Sequence, residues 1–382
     1  MKTLIIITDS FFDFDKRAVK IGGLETYIND LALLALKQDM LPTVYQVVNR
    51  SEEIKVNGYS IKTAYKPRSL FKSLNQRTFE SLYEKLNSAD TVFIIATDQM
   101  SIKTKAHNVI AIQHGVAFDI PGYMISGFWG KTHFLQYVNK FLRCERNVMR
   151  FNNVQNTVCV DYNYYNWLKT IGTIYPGKAV RVIPNYASSI ISREDLDSKL
   201  TRIKSEKKVI FARRFVDYRG TMLFANVAKR LLQEYKNVIF TFAGSGPLEK
   251  NIRDMFIGES RVKFTSFKPD ESVQFHYDYD IAVVPTIYSE GTSLSLLEAM
   301  AAGCLPIATY VGGMSNIVLD GYNGLLVYPD EDSIYNSILY AINMNKDSFN
   351  KMVGNAYDTI VYSFSKSKWE ISWGKMLNNI LK

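Results

Sequence analysis

Short continuous runs of apolar residues alternate along the chain with segments whose apolar residues recur every three or four positions. A continuous run is typical of a strand buried on both faces of a parallel sheet, and the wider spacing is typical of an amphipathic helix. The runs predict strands at residues 4–8, 44–48, 90–96, 108–112, 158–160, 208–214, 238–243, 262–267, 281–285 and 304–308. The spacing predicts helices at residues 25–36, 164–170, 293–302, 330–343 and 367–382.

This alternation, with glycine-containing loops after several strands, predicts an α/β protein built on parallel sheets. The length of 382 residues fits two Rossmann-like domains that face each other across a cleft. We predict a first domain at residues 1–187 and a second at residues 208–366. Residues 188–207 are polar and lack periodicity, which favours a linker.

The charge and the residue content narrow the class of partner without identifying it. The formal net charge of +9 favours an anionic partner, and a nucleic acid, an anionic membrane surface and a nucleotide diphosphate all fit it. The 3 cysteines lack C-x-x-C spacing and the 4 histidines are scattered. We therefore expect neither a metal site nor a disulfide framework.

The N-terminal apolar run reads as the first strand of the fold. It is short, and no small-residue cleavage site follows it, so a signal sequence is not predicted. No apolar segment reaches the ~18 residues that a membrane-spanning helix needs. We expect a cytoplasmic protein, either free or attached to the inner face of the plasma membrane.

Residues 290–306 combine two carboxylates with a predicted helix start. Glu290 and Glu298 flank Gly291, Thr292 and Ser293, which lie between a strand end and the helix. Free N–H groups and the positive end of the helix dipole favour a phosphate at such a position. Carboxylates beside it suit the vicinal hydroxyls of a sugar or a ribose. A capped helix with one solvated and one paired glutamate explains the same residues, and on their own they do not decide between the two.

Two further loops contain glycines at strand ends, where ligands bind in parallel α/β folds. Gly22 and Gly23 precede the first predicted helix, and Gly244 and Gly246 follow the strand at 238–243. Glycine leaves backbone N–H groups unobstructed, which suits a phosphate. A simple turn is the usual explanation of a pair such as Gly22-Gly23, and a lone G-x-G such as Gly244-Ser245-Gly246 is weak evidence on its own.

Candidate charged residues also follow predicted strands. His114 follows the strand at 108–112. Arg214 ends the strand at 208–214, the first strand of the second domain, and Arg219 lies in the loop after it. Arginine binds phosphate oxygens in bidentate fashion, so two arginines could neutralise a diphosphate. Surface salt bridging is the alternative for the arginines, and a structural hydrogen bond is the alternative for the histidine.

Two segments of the first half mix aromatic and basic residues. One is residues 127–150, and the other contains Lys66, Arg68, Phe71 and Lys72. Such a mixture suits a surface that meets anionic lipid or a lipid-linked acceptor. A core helix with a solvated basic face is the simpler interpretation of each segment taken singly.

The segment from Glu290 onward closely resembles the C-terminal signature of retaining glycosyltransferases of the GT-B class usually called family 4. Two glutamates separated by seven residues, the run EAMAAGCLP and the tail NGLLV appear in the family's order and spacing. The resemblance covers the C-terminal half well and the N-terminal half more loosely. It implies a GT-B fold whose C-terminal helix, residues 367–382, returns to the first domain.

The resemblance also implies roles for individual residues. Arg214 stands at the family's arginine and Arg219 where lysine is usual, whereas Arg213 replaces the family's glycine. The two matching arginines are expected to stabilise the diphosphate as the glycosidic bond breaks. Glu290 is expected to hold the donor sugar, and Glu298 is expected to hold the ribose.

The remaining candidates follow in the same way from the resemblance. The N–H groups of Gly291, Thr292 and Ser293 would face the phosphate or the sugar. His114 aligns with a histidine near the donor sugar. The glycine loops align with the family's loops that lie against the donor, namely Gly22-Gly23 and Gly244-Ser245-Gly246.

Together these features predict a metal-independent glycosyltransferase that requires no cofactor. Its donor would be a nucleotide-diphosphate sugar (a UDP- or GDP-sugar), and its acceptor a glycan or lipid-linked glycan of bacterial surface polysaccharide biosynthesis. Peripheral membrane contact fits the aromatic-basic segments, and no nucleic acid is expected as a partner. The alternatives are a catalytically silent GT-B subunit and a basic protein that binds nucleotides or nucleic acid.

Overall fold

The chain folds into two units, each built on its own large sheet. The computed structural model describes residues 1–20, 22–116, 125–171, 178–202, 206–288 and 290–381. The first unit comprises Met1–His114, Ile125–Ile183 and Glu370–Lys382. The second comprises Pro184–Trp369 and Gly115–Met124, of which Gly115 and Val116 are described.

The first unit is built on one large sheet. Its strands are β1 (Thr3–Thr8), β2 (Phe12–Asp13), β3 (Ala18–Val19), β4 (Leu41–Val47), β5 (Glu53–Val56), β6 (Tyr59–Ala64), β7 (Thr91–Ile95), β8 (Val109–Gln113), β9 (Asn156–Cys159) and β10 (Ala179–Val182). Within the described residues, the large sheet has the order β10-β9-β8-β7-β1-β4-β6-β5, and β2 pairs with β3 apart from it. Of the strand pairs described for the large sheet, β5–β6 is antiparallel and the others are parallel. The central strands β7 and β8 are buried along their whole length, as their continuous apolar runs predict.

Among the described residues, four α-helices lie wholly within the first unit, and part of the C-terminal helix joins them. The four are α1 (Gly23–Lys37), α2 (Leu74–Leu86), α3 (His133–Asn152) and α4 (Tyr162–Ile171). The segment from Glu370 onward belongs to this unit and contains the fully buried Trp373. The Trp373 indole Nε1–H donates to the Tyr27 hydroxyl of α1 over 2.7 Å. The apolar stripe predicted for residues 367–382 is therefore used in packing.

The second unit has a parallel sheet with the strand order of a dinucleotide-binding fold. Its strands are β11 (Lys207–Ala212), β12 (Val238–Ala243), β13 (Val262–Thr265), β14 (Ile281–Val284), β15 (Leu305–Thr309) and β16 (Leu325–Val327). They lie in the order β13-β12-β11-β14-β15-β16. The chain thus proceeds outward from β11 in one direction and from β14 in the other. In such sheets the ligand crevice lies beyond the carboxyl ends of the strands at this switch point.

Helices precede, connect and follow the strands of the second unit. They are α5 (Arg193–Thr201), α6 (Thr221–Glu234), α7 (Glu249–Met255), α8 (Ser272–His276), α9 (Leu294–Ala301), α10 (Glu331–Asn343) and α11 (Lys346–Ser363). The last helix, α12 (Lys366–Ile380), begins in this unit and continues into the first. Side chains of β11, β12 and α6 meet in an aromatic core centred on Phe211, Phe224, Phe240 and Phe242. The two parallel sheets confirm the predicted α/β class.

The segment predicted as a linker is not free of regular structure. Residues 188–207 contain α5, whose N-terminal N–H of Asp195 donates to the Ser192 hydroxyl over 3.0 Å. Leu196 of this helix is buried in the core of the second unit. The helix was not predicted because Leu196 and Leu200 alone give it an apolar side, and two apolar residues are too few for a visible period. No helix in the described parts of the chain combines the length and apolar character needed to cross a membrane.

Candidate functional site

A buried cluster of charge lies at the switch point of the second sheet. Arg213 follows β11, Thr286 follows β14, and Glu290 lies in the loop between β14 and α9. The Arg213 Nη2 group donates to Glu290 Oε2 over 2.6 Å, and Arg219 Nη1 donates to the same oxygen. The Thr286 hydroxyl donates to it over 3.1 Å and accepts a hydrogen bond from Arg213. We call Arg213, Arg219, Thr286 and Glu290 the switch-point cluster.

The cluster keeps one carboxylate ionised in a buried place. Burial alone would raise the pKa of Glu290, but the charges of Arg213 and Arg219 outweigh burial and hold that pKa below its ordinary value. The side chains of Arg213 and Glu290 are 5% and 10% exposed, and that of Arg219 is 25% exposed. Two guanidiniums against one carboxylate leave a net positive charge at the sheet edge.

One oxygen of the Glu290 carboxylate carries all these bonds. Oε2 accepts from three donors, whereas Oε1 accepts no hydrogen bond from any residue that the structure describes. A carboxylate has acceptor capacity on both oxygens. Oε1 is therefore available to a hydroxyl group of a ligand.

Two glycines fix the backbone of Glu290. The N–H of Gly313 donates to the Glu290 carbonyl over 3.0 Å. Gly312 has φ 55°, and a Cβ atom there would lie 1.9 Å from that same carbonyl oxygen. Any side chain at position 312 would push the Glu290 loop away from the cluster.

The structure separates the two arginines that the sequence analysis grouped together. Arg219 belongs to the cluster as described, and its guanidinium also lies over the Tyr218 ring at 4.9 Å. The Arg214 side chain is exposed and makes no hydrogen bond to a described residue. Arg213 takes the inner position. Sequence reasoning missed it because the resemblance places a glycine there, although two consecutive arginines after a strand were visible.

Glu298 lies on α9, away from the hydrogen bonds of the cluster. Its carboxylate accepts from the Ser272 hydroxyl of α8 over 2.7 Å. Burial raises the pKa of Glu298 from 4.5 to about 7, and the Ser272 hydrogen bond only partly opposes this. Within the described residues, no hydrogen bond joins Glu298 to Glu290, so the two glutamates have different surroundings.

The start of α9 lies between these glutamates. Thr292 and Ser293 are buried, and the Thr292 carbonyl accepts from the Asn185 side chain over 2.7 Å. Ser293 is the N-cap residue, but its hydroxyl makes no capping bond to the helix. A Cβ atom on Gly115 would lie 3.3 Å from the Gly291 nitrogen, so those backbones pass close together.

Close backbone packing explains why positions 244 and 246 are occupied by glycine. A Cβ atom at Gly244 would lie 2.2 Å from the Arg213 carbonyl oxygen, and one at Gly246 would lie 2.5 Å from the Phe215 carbonyl oxygen. Both glycines have φ in the left-handed half of the map, at 146° and 157°. The loop after β12 thus supports the segment that carries Arg213.

The first unit holds the other predicted residues. The His114 Nε2–H donates to the Ala96 carbonyl over 2.8 Å, and its ring meets Tyr27 edge-on at 5.5 Å. Burial lowers the pKa of His114 to about 4, so the ring is neutral at neutral pH with its proton on Nε2. Gly22 and Gly23 begin α1, and the Glu25 carboxylate lies over Gly22. The Ser10 hydroxyl donates to Glu25 over 3.4 Å.

Comparisons with known proteins bear on both units. The sequence model of the family Glycosyl transferases group 1 matches residues 192–359. A lipopolysaccharide 1,2-N-acetylglucosaminetransferase of Salmonella typhimurium is 27% identical over 51% of this chain and 54% of its own length. The chain thus spans about half the length of the first curated relatives that it matches.

Two further proteins match nearly the whole chain. A UDP-Gal:alpha-D-GlcNAc-diphosphoundecaprenol alpha-1,3-galactosyltransferase of Escherichia coli is 21% identical over 91% of this chain and 86% of its own length. The crystal structure of HepE from Anabaena in complex with UDP superposes with a TM-score of 0.69 at 14% identity, covering 99% of this chain and 100% of that one. Residues 192–359 therefore match the group 1 glycosyl transferase model, and the chain has the GT-B fold of the solved structures.

Proposed function

We propose that this protein is a retaining glycosyltransferase of family 4 type that uses a nucleotide-diphosphate sugar as donor. The observation that carries the proposal is the switch-point cluster. It provides net positive charge and one free carboxylate oxygen at the sheet edge where nucleotides bind in this topology. A leaving diphosphate needs positive charge, and a bound sugar needs hydroxyl acceptors.

The arginines act on the leaving group in this proposal. As the bond from the anomeric carbon to the diphosphate breaks, its electron pair goes to the diphosphate oxygen. Arg219, which is partly exposed, and the exposed Arg214 stabilise the charge that develops there. Guanidinium groups supply this charge without a metal ion, so the reaction is metal-independent.

Other residues hold the donor. Oε1 of Glu290 accepts a sugar hydroxyl, and the buried carboxylate stabilises positive charge at the anomeric carbon. Glu298 accepts from the ribose hydroxyls. The N–H groups at the start of α9, from Gly291 to Ser293, face the phosphate or the sugar. The acceptor hydroxyl attacks from the face that the diphosphate leaves and gives its proton to the departing diphosphate.

The neutral His114 and the loop at Gly22 and Gly23 are the candidate ligand-binding residues of the first unit. With its Nε2 proton bound to the Ala96 carbonyl, the ring has a hydrogen-bond acceptor at Nδ1 for a sugar hydroxyl. Gly244 and Gly246 contribute by holding the Arg213 backbone and by leaving room for the nucleotide.

The acceptor is proposed from the printed activities of the relatives. The Salmonella relative acts on lipopolysaccharide, and the E. coli relative acts on a sugar linked to diphosphoundecaprenol. These names support a glycan or lipid-linked glycan acceptor in bacterial surface polysaccharide biosynthesis, at the cytoplasmic side. HepE, the structural neighbour with bound UDP, supports a UDP-sugar donor. At 14% identity, its similarity to this chain establishes the fold alone.

The test is release of nucleoside diphosphate from a panel of nucleotide sugars, with Glu290→Gln as the decisive variant. The amide keeps the shape of the side chain but loses the charge, so turnover should fall by at least ~10-fold, or ~1.4 kcal/mol. Glu249→Gln is the matched control, because Glu249 pairs with Arg253 on the surface of the same unit. Equal turnover in Glu290→Gln and the native protein would overturn the proposal.

A further inference from the structure

The outer face of helix α3 is unusually apolar for a surface. Of its 20 residues, only Asn147 and Phe151 are buried. Three aromatic side chains stand in solvent, with Phe134 73% exposed, Tyr137 69% exposed and Phe141 52% exposed. Their spacing of three and four positions places them along one side of the helix.

Further residues lengthen and flank this apolar side. Leu142 is 44% exposed and Met149 is 61% exposed. At about 100° per residue both lie beside the aromatic stripe, towards one edge. The helix carries four basic residues and one acidic residue, which are Lys140, Arg143, Arg146, Arg150 and Glu145. By the same rotation, Arg143, Arg146 and Arg150 form one flank of the stripe and Lys140 lies on the other flank. The acidic residue, Glu145, lies within the apolar side.

A second exposed apolar site occurs in the same unit. Leu70 and Phe71 are 89% and 90% exposed at the tip of the loop before α2. Lys66, Arg68 and Lys72 surround them in sequence. We call the outer face of α3 and this loop tip the aromatic-basic surface.

We propose that the aromatic-basic surface binds the face of a lipid bilayer that contains anionic phospholipids. An apolar stripe between basic flanks is the pattern of a helix that lies in the plane of an interface. The aromatic side chains then enter the region between headgroups and acyl chains, and the arginines and lysines reach the phosphates beside it.

The arrangement favours lipid over other anionic partners. A nucleic acid requires cations along the track of its phosphates, whereas here the cations flank a row of apolar side chains that would stay in water. A protein partner could cover the stripe, but an isolated loop tip such as Leu70-Phe71 fits insertion into a fluid layer without a matching pocket. The charge of the helix complements an anionic surface.

The proposal does not depend on the proposed function, because none of its residues belongs to the donor site. Its test is co-sedimentation of the full chain with phosphatidylcholine vesicles that contain or lack phosphatidylglycerol. We expect binding to the anionic vesicles that weakens with salt, and at most weak binding to the neutral ones.

Variants separate the apolar and the ionic contributions. Phe134→Ser with Phe141→Ser should weaken binding to anionic vesicles by roughly tenfold or more, and Arg143→Glu with Arg146→Glu should do the same. Tyr362→Ser is the matched control, because Tyr362 is an equally exposed aromatic residue (71%) on α11 of the second unit. Unchanged melting temperatures would show that the variants fold, as expected for exposed positions.

Three outcomes would overturn the proposal. One is equal binding to neutral and anionic vesicles. Another is full binding by the Phe134/Phe141 variant. The third is no vesicle binding at all. In that case, self-association that disappears in the same variants would assign the surface to a second copy of the chain. Binding to duplex nucleic acid that disappears in them would assign it to a nucleic acid.

Discussion

The Arg213 guanidinium is stable in the protein interior because it donates to the Glu290 carboxylate. Removing Arg213 leaves Glu290 paired with Arg219 and Thr286 but deletes a buried charge-assisted hydrogen bond, which costs about 1.5 to 3 kcal/mol. Arg213→Met should therefore lower the free energy of unfolding by about that amount, as measured in urea. Arg253→Met removes an exposed arginine paired with Glu249 and should change it by less than ~1 kcal/mol. Equal effects of the two variants would contradict the cluster.

The proposed ribose role of Glu298 predicts that ligand binding depends on pH. Because the pKa of Glu298 is raised from 4.5 to about 7, the fold favours the neutral acid, and stability falls as pH rises between these values. Ribose hydroxyls prefer the carboxylate, so ligand binding should strengthen as pH rises through about 7. We expect about tenfold weaker binding of a nucleotide sugar near pH 6 than near pH 8 by calorimetry. In Glu298→Gln this dependence should vanish; a flat profile in the native protein would exclude the ribose role.

For individual residues, the sequence predicted which residue types form the candidate site better than it predicted which positions they occupy. Glu290 and Arg219 were predicted, and the structure places them in one cluster. Arg213 was not predicted, because a motif comparison assigns a role only to residues that match. Which of two adjacent arginines faces the interior depends on where β11 ends, at Ala212, and the predicted strand continued to residue 214. The pKa of Glu290 is lowered and that of Glu298 is raised. The sequence could not predict either shift, because each depends on burial and on neighbouring groups in the folded protein.

The loop after β15 positions the loop after β14. Gly312→Ala should destabilise the protein and also reduce turnover, because the new Cβ atom would displace the Glu290 carbonyl. Gly258→Ala is the matched control: its φ is 82°, but nothing lies within 4 Å of a Cβ there. The control should cost about 1 to 2 kcal/mol from backbone strain alone. Gly312→Ala should cost measurably more and lower kcat; equal costs with unchanged kcat would refute the positioning role.

Strong periodicity made some elements predictable, whereas weak or ambiguous periodicity left others unpredicted. The strand 238–243 has the same bounds in the structure, because its apolar run is uninterrupted and followed at once by Gly244. The helix α5 was missed because a single fully buried residue, Leu196, anchors its apolar side. The outer face of α3 is exposed. The sequence could not predict this exposure, because a buried aromatic stripe and an interfacial one have the same spacing.

The C-terminal helix carries the chain from the second unit back to the first. Trp373→Ala would leave a large cavity beside Tyr27, so the free energy of unfolding should fall by about 3 to 5 kcal/mol. Ile371→Ala, on the same helix but 54% exposed, should change it by less than ~0.5 kcal/mol. Denaturant titration of both variants checks this. Similar effects would mean that the helix is not anchored through Trp373.

The sequence indicated two parallel sheets because continuous apolar runs alternate with helical segments, and the structure confirms this. Periodicity alone does not give the order of strands. The order β13-β12-β11-β14-β15-β16 arises from the handedness of the crossovers and the point at which they change direction.

The central claim, that the second unit binds a nucleotide-diphosphate sugar at the switch-point cluster, is tested most directly by a thermal-shift panel. UDP, GDP, ADP, TDP and CMP are added to the native protein and to Glu290→Gln, without metal and then with magnesium. A ligand at a hundred times its Kd stabilises the folded state by ~2.7 kcal/mol, which appears as several degrees. We predict that one nucleoside diphosphate raises Tm without metal. No rise with any of them, with or without magnesium, would contradict the claim.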